Sequence, residues 1–457
     1  MDDHAGQGIH AGRPVVVIGG GLAGISAAME LADHGYRVRL LEKRPYLGGR
    51  AYSFRDRSAG VDVDNGQHVF MKCCTAYIAM LRKLGVMART YLQPRLNVRV
   101  FEGANASSSL YSVPLPGGLH LLPSLLRYKH LSFKDKIGIG RTALVMKRLA
   151  DGQRDALDSV SFYDWLVQRG ESDHAIDGFW NLVTLPTLND DARDVSAAQA
   201  IMVLQAGFFR DAHGGDLGYA TVGLSALLAD EAQRYIEDRG GDVCLRANVE
   251  RLEGGPEGVT GTRIHRQGSI NAGAYVLAVP PRLLADLLPE ALANHHFFAR
   301  AAQLEMSPIV NVHVWFDRPV TDVVFAAYLG NECQWIFNQS AMQGSPDAEE
   351  QHLCVSISAA QKYIDMPKAQ LQEFILAEMR CALPNMAKAR VTRVIVVKEH
   401  FATFRPTPGS AINRLPARTP VPNLFLAGAW TNTGWPSTME SAVRSGVTAA
   451  QEVMAAA

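Results

Sequence analysis

Three glycines and one acid are the residues whose types and spacing say most about chemistry in this chain. Gly19, Gly21 and Gly24 follow the β-branched run VVVI, and Glu42 lies 23 residues beyond Gly19, at the end of a second apolar run. In this spacing the first glycine permits a tight turn out of a strand. The second, lacking a Cβ, lets the backbone approach a pyrophosphate, and the third lets a helix pack closely on the strand. Leu22 and Ala23 open that helix, whose free N–H groups and partial positive charge suit phosphates. Glu42, with Lys43 beside it, sits close to the position about 20 residues on where an acid binds a ribose hydroxyl. Glycines spaced this way also occur in ordinary turns. The strand before them, the helix after them and the acid at the second strand's end make the reading a dinucleotide clamp in a βαβ unit.

Three further features select FAD over NAD. Leu47-Gly48-Gly49-Arg50 offers a loop that can pass close to a cofactor and an arginine that can fork onto a pyrophosphate. Val249 stands in a short strand after the Gly240-Gly241 turn, where backbone can meet an adenine edge. The C-terminal run NLFLAGAWTNTGWPSTMESAVRSG holds a buried strand ending at Gly428 and Ala429, a loop with Trp430 and Trp435, and a helix start. There Ser437-Thr438-Met439-Glu440 reads as a capping box. The positive end of such a helix can stabilise negative charge on a reduced flavin.

The elements that must position these residues are scattered along the chain. Residues 14–90, 216–285 and 405–457 read as one discontinuous nucleotide-binding domain. Residues 91–215, mostly helices and loops, and 286–404, alternating strands with one helix (KAQLQEFILAEMRCAL), read as an inserted substrate domain.

Composition narrows the function classes. The chain has 457 residues, 47% hydrophobic and 20% charged, with a formal net charge of zero. No surplus of Lys and Arg is present to neutralise nucleic-acid phosphates, so no nucleic-acid partner is expected. Six cysteines include no CxxC or Cys/His spacing, which points to free thiols in a reducing compartment and to no metal site. The polar N-terminus lacks a signal-peptide core, and no run approaches the roughly 18 apolar residues of a membrane span. The expected location is the cytoplasm, or the inner face of the cytoplasmic membrane as a peripheral protein. The segment 119–136 (LHLLPSLLRYKHLSFKDK) sets leucines beside Arg127, Lys129, His130, Lys134 and Lys136, a pattern that could dip into a bilayer with its cations at head groups.

Over nearly its whole length the chain resembles the flavin amine oxidase and carotenoid-desaturase superfamily, which pairs an N-terminal GxGxxG…E…GGR with a C-terminal AGD…T(M/I)E(G/S)A…SG. Within it the chain is most similar to the squalene-associated branch, the hydroxysqualene dehydroxylases of hopanoid-making bacteria. Asp64-Asn65-Gly66-Gln67-His68-Val69-Phe70, Cys73-Cys74-Thr75-Ala76-Tyr77, the runs 119–136 and 180–190, and TNTGWPSTMESAVRSG (431–446) carry that similarity. The resemblance implies an α/β fold with a Rossmann-like, discontinuous FAD-binding domain and an inserted α+β substrate domain, an amine-oxidase-like two-domain flavoprotein. It implies reductive dehydroxylation of hydroxysqualene to squalene with hydride from flavin N5, and a loop of Gly66, Gln67 and His68 near the isoalloxazine ring. Asp64 and His68 are then the candidates for the acid that lets the hydroxyl leave. No second complete GxGxxG is present, so the reductant is expected to be a separate reductase or free reduced flavin. Oxidative desaturation of a polyene, non-catalytic isoprenoid binding and small-amine oxidation are the competing readings. One departure stands out. Ala429 occupies the place of the family's Asp, which removes an interaction of about 1–3 kcal/mol, and Thr431 or Asn432 could stand in for it.

Overall fold

The computed structural model describes residues 13–456 apart from 57–59, 104–105, 117 and 346–348. Four β-branched residues, Val15–Ile18, form a fully buried central strand, as expected where a parallel sheet is covered on both faces. Around it lies a five-stranded parallel sheet in the spatial order Asp242–Leu245, Val38–Glu42, Val15–Ile18, Ala274–Leu277, Leu424–Leu426. The chain first builds outward on one side of the central strand and then crosses to the other. That leaves a topological switch between Val15–Ile18 and Ala274–Leu277, where open α/β sheets bind ligands at their carboxyl ends.

Each face of this sheet has its own cover. The helices Leu22–Asp33, Leu224–Glu237 and Met439–Ala455 close one face over Val15, Val17, Leu40 and Val276. A three-stranded antiparallel sheet (Val249–Gly255, Gly258–Ile264, Gly268–Ile270) closes the other over Val16, Ile18, Leu41 and Tyr275. Short helices carrying Leu284, Leu292 and Phe298 join that second cover. The nucleotide-side core therefore continues past residue 285 to about Leu304, because the second face of the sheet needs more apolar cover than one small sheet supplies.

The other half is built on a seven-stranded sheet in the order Val391–Phe404, Met306–Phe316, Gln351–Ile357, Trp335–Asn338, Phe325–Leu329, Asn97–Glu102, Ala106–Tyr111. The last two strands come from the stretch read as mostly helical. In the long strand Met306–Phe316, side chains alternate between faces. Val310, Val312, Val314 and Phe316 pack toward the helix Lys368–Ala382, so Asn311, His313 and Trp315 point to the opposite face.

The segment 119–136 is not one amphipathic stretch. It forms a single turn at Leu119–Leu121 and a helix Leu122–Arg127, breaks at the buried Tyr128, and resumes as a helix Phe133–Arg148 capped by a Ser132–Asp135 box. His130 is buried and bonds Glu102 Oε2 (3.0 Å) and the Val100 carbonyl (3.2 Å), so it belongs to the sheet and not to a cationic rim. Among the described residues no helix is long and apolar enough to cross a membrane, and no group of three or more His, Cys, Asp or Glu is placed to hold a metal ion. All six cysteines are free.

Candidate functional site

The glycine turn closes as tightly as its spacing requires. Gly19 has φ +108°, and a Cβ on Gly24 would overlap the Gly19 carbonyl oxygen. Helix Leu22–Asp33 begins at Gly21 with no side-chain cap and no acid in its first turn. Its N–H groups are left for an anion from outside. Glu42 is buried at the tip of its strand, with Oε2 accepting from the Gly20 N–H (2.6 Å) and Oε1 from the Arg44 N–H (2.7 Å). The carboxylate is thus pinned beside the turn at the switch point. Lys43 is exposed, and its neighbour Arg44 is the cation that turns inward, donating to the Gly49 carbonyl (2.9 Å) and stacking on Tyr52.

The Gly48-Gly49 loop lies directly on the glycine turn. Gly21 and Gly48 pair as a parallel bridge, and a Cβ on Gly49 would meet the Gly21 Cα. Arg50 donates to the Ala402 carbonyl (2.6 Å), across the boundary with the substrate sheet. Arg50 and His68 lie deep among protein atoms yet keep accessible surface.

The stretch Asp64–His68 is wedged between the two halves. Asn65 donates to the Arg50 carbonyl (2.8 Å) and to Glu399 (3.1 Å), and its own carbonyl accepts from Asn311 Nδ2 (3.1 Å). Gly66 is buried against the Asn311 carboxamide with no room for a Cβ, and Gln67 is bonded by Gln339. Asp64 Oδ1 accepts from Ser53 Oγ (2.6 Å) and from the Leu224 N–H (3.0 Å), which ties the hairpin Ser53–Asp64 to the helix Leu224–Glu237. Burial pushes the Asp64 carboxyl up from its ordinary value and pulls the His68 imidazole down. His68 Nδ1–H donates to the Gly66 carbonyl (3.0 Å). Burial thus favours the neutral imidazole at His68 and the protonated carboxyl at Asp64, the two acid candidates read from the sequence. Asn311 and Glu399 carried no motif and were not visible in the sequence; strand alternation on Met306–Phe316 was the one available hint.

The C-terminal unit departs from its sequence reading. The helix Met439–Ala455 starts one residue later than expected, with Thr438 as N-cap accepting from the Ser441 N–H (3.2 Å). Glu440 closes no box. Fully buried, it accepts from the Ala76 and Tyr77 N–H groups (3.1 and 2.8 Å) and from Arg444 Nε (2.6 Å), so it caps the helix Thr75–Lys83. Met439 packs partly buried against the nucleotide-side core. Trp430 is buried and donates to the Val279 carbonyl (2.8 Å), so it lines no tunnel. Thr431 spends its hydroxyl on the Gly428 carbonyl (2.9 Å), and Asn432 is exposed. Neither substitutes for a carboxylate at Ala429. Gly428 itself accepts no strain-free substitute, with φ +147° and the Trp430 ring against it, and its N–H is held by Ser445 Oγ (2.8 Å). Val249 opens the antiparallel sheet at a bulge, partly buried against the second cover.

These residues fit FAD. An uncapped helix start and two touching glycine loops form a cradle that a Cβ would fill. A buried acid stands at the strand tip, and the buried Asn311 Oδ1 has no protein partner among the described residues. Comparison with known proteins agrees. The flavin containing amine oxidoreductase family matches residues 22–454. The chain belongs to that family. A 15-cis-phytoene desaturase of Narcissus pseudonarcissus is 25% identical over 458 residues, covering 97% of this chain and 80% of the relative. A zeta-carotene desaturase of Zea mays is 27% identical, covering 94% and 82%. Among solved structures, a putrescine oxidase variant superposes with a TM-score of 0.74 at 18% identity, covering 97% of this chain and 99% of that one. A cyclohexylamine oxidase from Brevibacterium oxydans gives 0.69 at 19%, covering 96% and 98%. This flavin oxidoreductase is thus a two-domain α/β protein of the amine-oxidase type that uses FAD.

What distinguishes its substrate half is a cavity of about 530 Å³ walled almost wholly by apolar side chains. Its inner end reaches Val69 and Met71, directly after His68. Its outer end is lined by Leu119, Leu122, Ile137 and Leu144, each also 42–53% exposed.

Proposed function

We propose that this oxidoreductase reduces an allylic polyisoprenoid alcohol, hydroxysqualene, to squalene. The observation that carries the reading is the long apolar cavity running from exposed leucines to the residue after His68. A water-free cavity suits the chemistry, because an allylic cation formed when the hydroxyl leaves as water would be recaptured by solvent. FAD, which the glycine cradle and Glu42 would hold, would supply hydride chemistry when bound and reduced. The chain's own part is to hold the polyene in the dry cavity, present its polar end to the Asp64–His68 loop and hold a proton there. Asp64, whose proton affinity burial raises, is the proton holder, and His68, fixed on the Gly66 carbonyl, orients the loop. The reductant is a separate flavin reductase or free reduced flavin. The test is anaerobic. Hydroxysqualene added to photoreduced protein restores the oxidised flavin band and yields squalene. A band that stays bleached overturns the reading.

The phytoene and zeta-carotene desaturase relatives favour a second reading, oxidative desaturation of a polyene. In that case a polyene added to oxidised protein bleaches the band instead.

The cavity mouth supports peripheral contact with a membrane, for a substrate that does not dissolve in water. Phe133 is 71% exposed and Leu126 53%, beside Arg127, Lys129 and Lys134, and Asp135 is the one acid between residues 118 and 148. Co-sedimentation with anionic vesicles, weakened by Phe133→Ser and by salt, checks this contact.

A further inference from the structure

One buried arginine in the nucleotide half makes no salt bridge among the described residues, although the Asp158 carboxylate acts on it through space. Arg414 is 3% exposed, and no carboxylate lies within ion-pair distance of it among the described residues. Its guanidinium rests on the Phe404 ring (4.8 Å) and donates only to neutral oxygens of one loop. These are the carbonyls of Trp430 (3.4 Å), Thr431 (2.6 Å) and Trp435 (2.6 Å), and Thr433 Oγ1 (3.3 Å). Thr433 Oγ1 in turn meets Ser441 Oγ (2.6 Å), which donates to the Ala429 carbonyl (3.0 Å). A single cation thus grips both ends of the loop between the strand Leu424–Leu426 and the helix Met439–Ala455, and through two hydroxyls it reaches the backbone of the position where the family's carboxylate is missing.

A buried cation bonded only to neutral groups is costly even with Asp158 acting on it through space, and polypeptides retain one where it has a use. The loop it grips lies at the carboxyl edge of the parallel sheet, the edge at which such folds bind their nucleotide. We propose that Arg414 is the positioning residue for FAD in this chain. It sets the 429–436 backbone against the cofactor in place of the absent carboxylate at Ala429, and its positive charge, in salt-bridge contact with no carboxylate, favours the electron-rich reduced flavin. The inference rests on FAD occupancy and is independent of which polyisoprenoid is the substrate. Burial pulls the guanidinium down to about 10, which still leaves it charged across the physiological range.

Two variants separate the parts of this role. Arg414→Lys keeps the charge and loses the fork, so FAD dissociation measured on apoprotein by tryptophan quenching weakens about tenfold, while the midpoint potential of the bound flavin stays near that of the parent protein. Arg414→Met loses both, so affinity falls at least as far and the potential moves to more negative values. Hydrogen exchange of residues 429–436 in the apoprotein accelerates in both. Parent-like FAD affinity in Arg414→Lys overturns the positioning role, including when Arg414→Met fails to fold. Parent-like potential in a folded Arg414→Met overturns the electrostatic one. Lower thermal stability with affinity and potential intact marks Arg414 as merely structural and overturns both.

Discussion

The chain feeds a glycine-ended strand into a helix twice, and the two units leave their helix starts in opposite conditions. At Gly19–Gly24 the turn is minimal and the helix start is bare, with neither a side-chain cap nor an acid. At Gly428–Met439 a ten-residue passage with two tryptophans intervenes, and Thr438 caps the helix internally. The first unit is thus completed only by an anion from outside, whereas the second satisfies itself and uses its loop as the recognition surface. Similar punctuation in sequence therefore does not mean similar chemistry at a helix start.

Substitutions that act on one unit alone test this contrast. The largest effect is expected for Gly24→Val, whose branched Cβ would drive into the Gly19 carbonyl. The protein should be isolated with less than about a tenth of its flavin, as read from the visible spectrum. In the second unit the sensitive residue is Glu440. Glu440→Ala strips the acceptor from two N–H groups of the helix Thr75–Lys83 and leaves Arg444 unpaired. Denaturant melts should show a loss of about 3–5 kcal/mol, and reconstitution with FAD should restore little of it.

Acid provides a control outside both units. His313 is buried, bonded to His352 (3.0 Å), and its pKa is pulled from the ordinary 6.5 to about 4. The unfolded chain takes up this proton first, so the stabilising difference is complete above pH 6.5 and is lost as the pH falls toward 4, by about 3 kcal/mol in all. His313→Gln should flatten that slope in melts between pH 7 and 4. The smallest effect belongs to Thr438→Ala, about 1 kcal/mol for one lost cap, with FAD affinity unchanged. A large loss of flavin in Thr438→Ala would erase the contrast between the two helix starts.

What the sequence made legible divides along the same line. The first unit could be read residue by residue because its turn geometry is local: the Gly19–Gly24 turn, its helix start and Glu42 are set by one βαβ unit. At the second unit local spacing misled. Ser437 to Glu440 has capping-box spacing, but the Glu440 carboxylate is drawn instead to the bare start of a helix more than 360 residues earlier in the chain. The Asp64–His68 loop stood out in the sequence only through its resemblance, as a loop near the isoalloxazine ring; that it joins the two halves through Asn311 and Glu399 is visible only once two distant strands meet it. The mouth segment was read as one helix-like stripe because nothing in LHLLPSLLRYKHLSFKDK announces that Tyr128 turns inward.

The helices Leu22–Asp33 and Met439–Ala455 touch so closely that a Cβ on Gly446 would overlap the Ala23 carbonyl oxygen, and Ser26 Oγ bonds the Val443 carbonyl (2.9 Å). The flank of the nucleotide cradle is therefore closed by chain more than 400 residues further on. During synthesis the early βαβ unit must wait, exposed, for more than 400 residues of chain. A product cut short before Met439 lacks that flank and should be isolated colourless and prone to aggregate, so the yellow cofactor reports that the two distant helices have met.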